Sequence, residues 1–107
     1  VIPELPSAFE ITESLEPDGV RLRISGELDV AVVDRVHDHI ASLARPGEVV
    51  VLDLSELTFI DSSGLNVLVT ALKQAQRDGW ELRIERRMTR AVERVITMMG
   101  LDGVFWN

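Results

Sequence analysis

The run Asp61-Ser62-Ser63-Gly64 sets a carboxylate, two hydroxyls and a glycine between the apolar segments Phe59-Ile60 and Leu65-Asn66-Val67-Leu68-Val69. Three kinds of chemistry use such residues at a strand-to-helix turn. Aspartate or serine caps a helix by accepting a backbone N–H. Serine on a sharp turn acts as a nucleophile in hydrolases. A hydroxyl beside the free N–H groups of a helix start is a place where phosphate is tolerated, hence a kinase acceptor. The nucleophile fares worst. Ile60 stands where the G-x-S-x-G elbow has its first glycine, and a serine needs a base. The only histidines, His37 and His39, fall two apart in a helical segment and face different directions. That spacing also argues against a metal pair and leaves Asp34 and Asp38 as solvated surface. A cap needs one polar residue, whereas three stand in succession here. Glycine just inside a helix costs about 0.5–1 kcal/mol relative to alanine, which implies a close approach to the backbone. On these residues alone, capping and a recognition or modification site both stay open.

The elements that must position this turn follow from periodicity. Residues 1–7, with two prolines, read as a tail ahead of one domain over 8–107. Phe9, Ile11 and Leu15, then Val20, Leu22 and Ile24, mark two half-buried strands joined at Pro17-Asp18-Gly19. Val33, Val36, Ile40 and Leu43 form one helical stripe, with Asp29 placed to cap it and Pro46-Gly47 to stop it. "EVVVLDL" reads as a central strand covered on both faces. Leu65, Leu68, Val69, Leu72 and Ala75 line a second helix ending at Gly79. Trp80, Leu82 and Ile84 alternate as a strand, Thr89 caps a third helix ending at Gly100, and "VFWN" reads as a last short strand. The order β-β-α-β-α-β-α-β predicts an α/β fold: a mixed, mostly parallel sheet of about five strands with three main helices.

In such units the loops leaving the C-terminal strand ends share one edge, where ligands usually bind. Gly26–Asp29, Ile60–Gly64 and Arg86–Thr89 are those loops, so acids, serines and the Arg86-Arg87 pair are expected on one rim. The totals narrow the partners. Of 107 residues 46% are hydrophobic, enough for a core. The net charge of -7 disfavours direct binding to nucleic acid or an anionic membrane. The longest apolar run, Val49–Leu52, is too short to cross a bilayer. Without cysteine there is neither a thiolate site nor a disulfide, which suits a cytoplasmic protein. No cofactor and no metal are expected. The chain opens at Val1, which is compatible with a segment or further domain upstream.

"GELD" at 26–29, followed by "VVVLDLSELTFIDSSGLNVLVTALKQAQRDGWELRI" at 49–84, resembles the STAS domain of bacterial anti-sigma factor antagonists. The resemblance covers about Phe9 to Phe105, and the acid-serine-serine-glycine-leucine turn is its specific part. It implies a STAS-type fold and a non-enzymatic, partner-switching regulator of transcription. It also implies that Ser62, directly after the aspartate, is phosphorylated by an anti-sigma factor that is also a serine kinase. The unphosphorylated protein would bind that factor and free a sigma factor, and a serine phosphatase would reset it. Asp29, Asp61, Ser63, Gly64, Arg86 and Arg87 would then form the switch rim. Arg86 and Arg87 depart from the small or apolar residues usual there; they would steady a phosphoserine, meet an acidic surface of the kinase, or simply be solvated. The same resemblance admits an alternative: a regulatory module of an anion transporter, a lipid-transport ATPase or a stress-sensing complex.

Overall fold

Alternating side chains in the first third of the chain fold into a hairpin. In the computed structural model, which describes residues 9–106, β1 (Glu10–Glu16) and β2 (Gly19–Leu28) pair antiparallel from Glu10↔Ser25 to Glu16↔Gly19. The expected tail over 1–7 and Asn107 lie outside the described residues. Gly19 answers a need beyond the turn, because a Cβ there would stand 2.0 Å from the Val49 carbonyl oxygen of the neighbouring strand.

β2 is the axis of the sheet. Its first half pairs parallel with β3 (Val49–Asp53), which in turn pairs parallel with β5 (Glu81–Ile84). Its last residues pair parallel with β4 (Leu57–Ile60), so β4 continues along β2 after β3 has left it. The expected single strand in this region is therefore split. Asp53 accepts hydrogen bonds from the Ser55 N–H at 2.9 Å and the Ser55 hydroxyl at 2.6 Å, a side-chain turn that ends β3. β4 then joins with a register shift between Gly26 and Glu27. Gly26 supplies the positive φ of 93° there, and Thr58 Oγ1 donates to its carbonyl at 3.0 Å.

Rows across the strands divide the sheet into two faces. Val20-Val50-Leu82 and Leu22-Leu52-Ile84 turn inward. Their buried members join one core with Val36 and Ile40 of α1 (Val33–Leu43), Leu65, Leu68, Ala71 and Ala75 of α2 (Ser62–Asp78), and Val92 and Ile96 of α3 (Arg90–Met98). Coverage on both faces of β3, as expected, is not of one kind. The row Arg21-Val51-Arg83 turns the other way, and Val51, buried, stands outside that core. The stems of flanking arginines can shield such a residue while their charges form ion pairs.

Two further expectations are corrected. Asp29 does not cap α1. Its carboxylate accepts the Ala31 N–H at 3.0 Å and its carbonyl accepts the Val32 N–H, so residues 29–32 form a turn and the helix starts at Val33. The last element is a helix, α4 (Asp102–Trp106), and the fifth strand is β4 instead. A helical turn seats Phe105 in the core and lets Trp106 Nε1 donate to the Ile84 carbonyl at 2.7 Å.

Candidate functional site at the mouth of the second helix

Parallel pairing of Leu28 with Ile60 brings the ends of β2 and β4 side by side, and the Asp61 N–H donates to the Leu28 carbonyl at 3.2 Å. Asp61 is extended (φ -108°, ψ -175°) and its carboxylate accepts the Gly64 N–H at 2.9 Å, which caps α2. Of the capping candidates Asp61 does the work. Ser62 is thereby released: it is exposed, and its hydroxyl makes no hydrogen bond among the described residues. The N–H groups of Ser62 and Ser63 are likewise unpartnered, as the first N–H groups of a helix are. Ser63 points differently. It is half-buried and lines a groove of about 330 Å³ between α1 and α2 with Val33, Asp34, His37, Asn66, Val67 and Thr70.

Gly64 is buried, and a Cβ on it would lie 2.8 Å from the Leu28 carbonyl oxygen, Leu28 Cγ and Ile60 Cγ1. The close approach implied by the glycine comes from the chain's own strand ends. Asp29, half-buried, directly follows Leu28 at the end of the neighbouring strand, which brings a second acidic residue to the level of the Asp61 turn. Two exposed apolar residues not singled out from the sequence are near neighbours of these acids in the chain: Val30, next to Asp29 and 72% exposed, and Phe59, two residues before Asp61 and 47% exposed. Val30 shares the spacing of the α1 stripe, and only the late start of that helix leaves it outside the core.

The third loop does not reach the same level. Thr89 caps α3 through the Val92 N–H, and its own hydroxyl donates to the Leu57 carbonyl at 2.9 Å. Leu57 begins β4, four residues before Asp61, a rise of about 13 Å along a strand. Arg86 lies over the Trp106 ring, 4.7 Å from its centroid, and Arg87 is exposed. The rim thus collects Asp29, Asp61, Ser62, Ser63 and Gly64, while Arg86 is engaged elsewhere.

Among the described residues neither imidazole ring bonds to a serine hydroxyl; Ser42 donates only to the His39 backbone carbonyl. His37 lies along the groove beside Ser63 but contacts Asp38 at 3.2 Å, and His39 contacts Glu13 at 2.5 Å. Among the described residues no group of three side chains could hold a metal, and no helix is long and apolar enough to cross a membrane. The densest charge cluster is on the outer sheet face, where Arg21 pairs with Glu16, Asp53 and Glu85 and Arg23 pairs with Asp53. Burial pushes the Asp53 carboxyl up, but the Ser55 hydrogen bonds and Arg23 outweigh it and hold it at about 2. Arg21 is held above its usual range, chiefly by its hydrogen bond to Glu85.

A family model described as "Mlab, STAS domain" matches residues 11–105. The anti-sigma-B factor antagonist of Bacillus subtilis (strain 168) is 27% identical over 85 residues, covering 79% of this chain and 77% of that protein. The anti-sigma F factor antagonist of Paenibacillus polymyxa is 37% identical over 82 residues, covering 75% of this chain and 69% of that one. The crystal structure of an anti-sigma factor antagonist from Mycobacterium paratuberculosis superposes with a TM-score of 0.78 at 22% identity, covering 97% of this chain and 88% of that one.

Proposed function

The chain belongs to the STAS domain family, and from that membership we propose that it is an anti-sigma factor antagonist switched by phosphate on Ser62. Its relatives are regulators named for antagonism, not enzymes. The observation that carries the switch is the division of labour at α2: Asp61 supplies the cap, which leaves the adjacent Ser62 hydroxyl exposed and, among the described residues, unpartnered. In this reading the partner is an anti-sigma factor that is also a serine kinase, acting with its sigma factor in the cytoplasm. A serine phosphatase returns the protein to its binding state.

The electrostatics suit such a switch. A phosphate adds about 1.5 to 2 negative charges. Free N–H groups and the helix dipole offset that by only about 0.3–1 kcal/mol at an exposed site. The fold has no reason to change. A docked partner differs, because Asp29 and Asp61 stand at the two adjoining strand ends and, among the described residues, no cation pairs with either. Burying an uncompensated charge costs about 3–5 kcal/mol, more than a hundredfold in affinity. Val30 and Phe59, exposed and close to the acids in the chain, supply apolar area for the same contact.

The test uses the cognate kinase and ATP. One phosphate is expected on Ser62, none on Ser62→Ala. Ser62→Asp should bind the anti-sigma factor at least a hundredfold more weakly with nearly the same thermal midpoint. Phosphate on Ser63 or elsewhere would refute the assignment.

A further inference from the structure

Acidic side chains outnumber basic ones 18 to 11 in this chain, so an arginine should readily find a partner. Among the described residues four of the eleven lysines and arginines do: Arg21, Arg23, Arg77 and Arg83 are ion-paired. Of the seven others, four, Arg86, Arg87, Arg90 and Arg94, lie in α3 or just before it. Arg87, Arg90 and Arg94 are exposed, and among the described residues none makes an ion pair or a side-chain hydrogen bond. Arg90, Arg94 and Met98 follow one another at four-residue spacing, a single stripe directed away from the buried Val92 and Ile96. The stripe ends in apolar surface, Met98 being 77% and Met99 59% exposed.

We infer that this face of α3 is a second docking surface, distinct from the mouth of α2, for a short acidic peptide segment that ends in an aliphatic side chain. Charge and size both select that occupant. Arginine presents a planar fork that engages carboxylates in pairs. From Arg90 to Met98 the helix rises about 12 Å, the reach of three or four extended residues. Methionine is unbranched and adapts to varied apolar partners. An anionic membrane or a nucleic acid is a poorer match. Lipid recognition by charge takes clusters of about 4–8 cations, and the stripe on α3 itself carries only Arg90 and Arg94. This inference does not depend on Ser62.

A fluorescein-labelled peptide of four glutamates followed by two leucines provides the probe, read by anisotropy and by amide shifts of the labelled protein. Shifts confined to residues 87–99 are expected. Arg90→Gln/Arg94→Gln should weaken binding at least tenfold, since charge-assisted hydrogen bonds are lost. Arg77→Gln and Ser62→Asp should leave binding unchanged. Equal thermal midpoints would tie the loss to the surface, and Arg94→Gln alone serves if the double variant is unstable. Unchanged affinity in the arginine variants, or shifts centred on α2, would overturn the inference. So would phosphatidylglycerol vesicles or duplex DNA binding through Arg90 and Arg94 where the peptide does not.

Discussion

Ser62 and Ser63 are neighbours in the chain with different surroundings: one hydroxyl faces solvent, the other enters the groove between α1 and α2. The difference arises one residue earlier, where Asp61 takes the Gly64 N–H. Gly64 itself leaves no room for a side chain. Alanine there would gain about 1 kcal/mol in helix propensity, but its Cβ meets a carbonyl oxygen at 2.8 Å that cannot swing aside. Overpacking costs about 1–3 kcal/mol. Gly64→Ala should therefore lower stability in urea unfolding. Gly103→Ala should do the opposite by a few tenths of a kcal/mol up to about 1, since nothing lies within 4 Å of its added Cβ. A stabilised Gly64→Ala would show that Leu28 and Ile60 yield. The glycine was legible in the sequence as a close approach; which atoms approach was not, because both come from strand ends remote or offset in the chain.

At the scale of the elements, the cap and the strand register decide what the mouth of α2 contains. Removing the cap with Asp61→Ala should cost about 1 kcal/mol, whereas Asp61→Asn keeps an acceptor and should stay near the native midpoint. Equal loss in both would mean that charge, not the hydrogen bond, holds the helix start. Helices α2 and α3, the Thr89 cap and the Gly79 stop were readable from local pattern, whereas the choice of Asp61 over Ser62 as the α2 cap was not. The split of "EVVVLDL" from "LTFI" was not. Both segments are apolar, and only the Asp53–Ser55 turn and the bulge at Gly26 separate them. That insertion carries the Asp61 turn about four residues beyond the point where the Arg86–Thr89 loop touches β4. Topology alone treats strand ends as level; register does not.

Across the whole molecule, the helix-bearing face of the sheet is apolar and the other is held by ion pairs. Asp53 is 3% exposed and its carboxyl sits at about 2 instead of 3.8. A depressed folded value means the stabilisation is complete above the unfolded pKa and is lost as pH falls from about 4 to 2. The shift corresponds to about 2 kcal/mol. Glu85, lowered mainly by its hydrogen bond to Arg21, loses its contribution over the same acidic direction. Urea midpoints at pH 7, 4 and 2.5 should fall steeply over the last interval in the native protein and less so in Asp53→Asn, which should be weaker at pH 7. Parallel curves would remove Asp53 from the acid response. Because this network lies on the outer face, the fall should follow the sheet, away from the mouth of α2.

The sequence by itself determined what depends on neighbours within a turn or two: an acid, a hydroxyl and a glycine at the start of an amphipathic helix, and the alternation that makes a sheet behind it. Those are short-range matters of hydrogen bonding and side-chain period. Only the tertiary structure decided that Leu28 fills the space above Gly64, that Val30 and Phe59 stay outside, and that Arg86 turns to Trp106. Each of these hangs on a register shift, a late helix start or a terminal helix in place of a strand, and such offsets are set by packing between segments far apart in the chain.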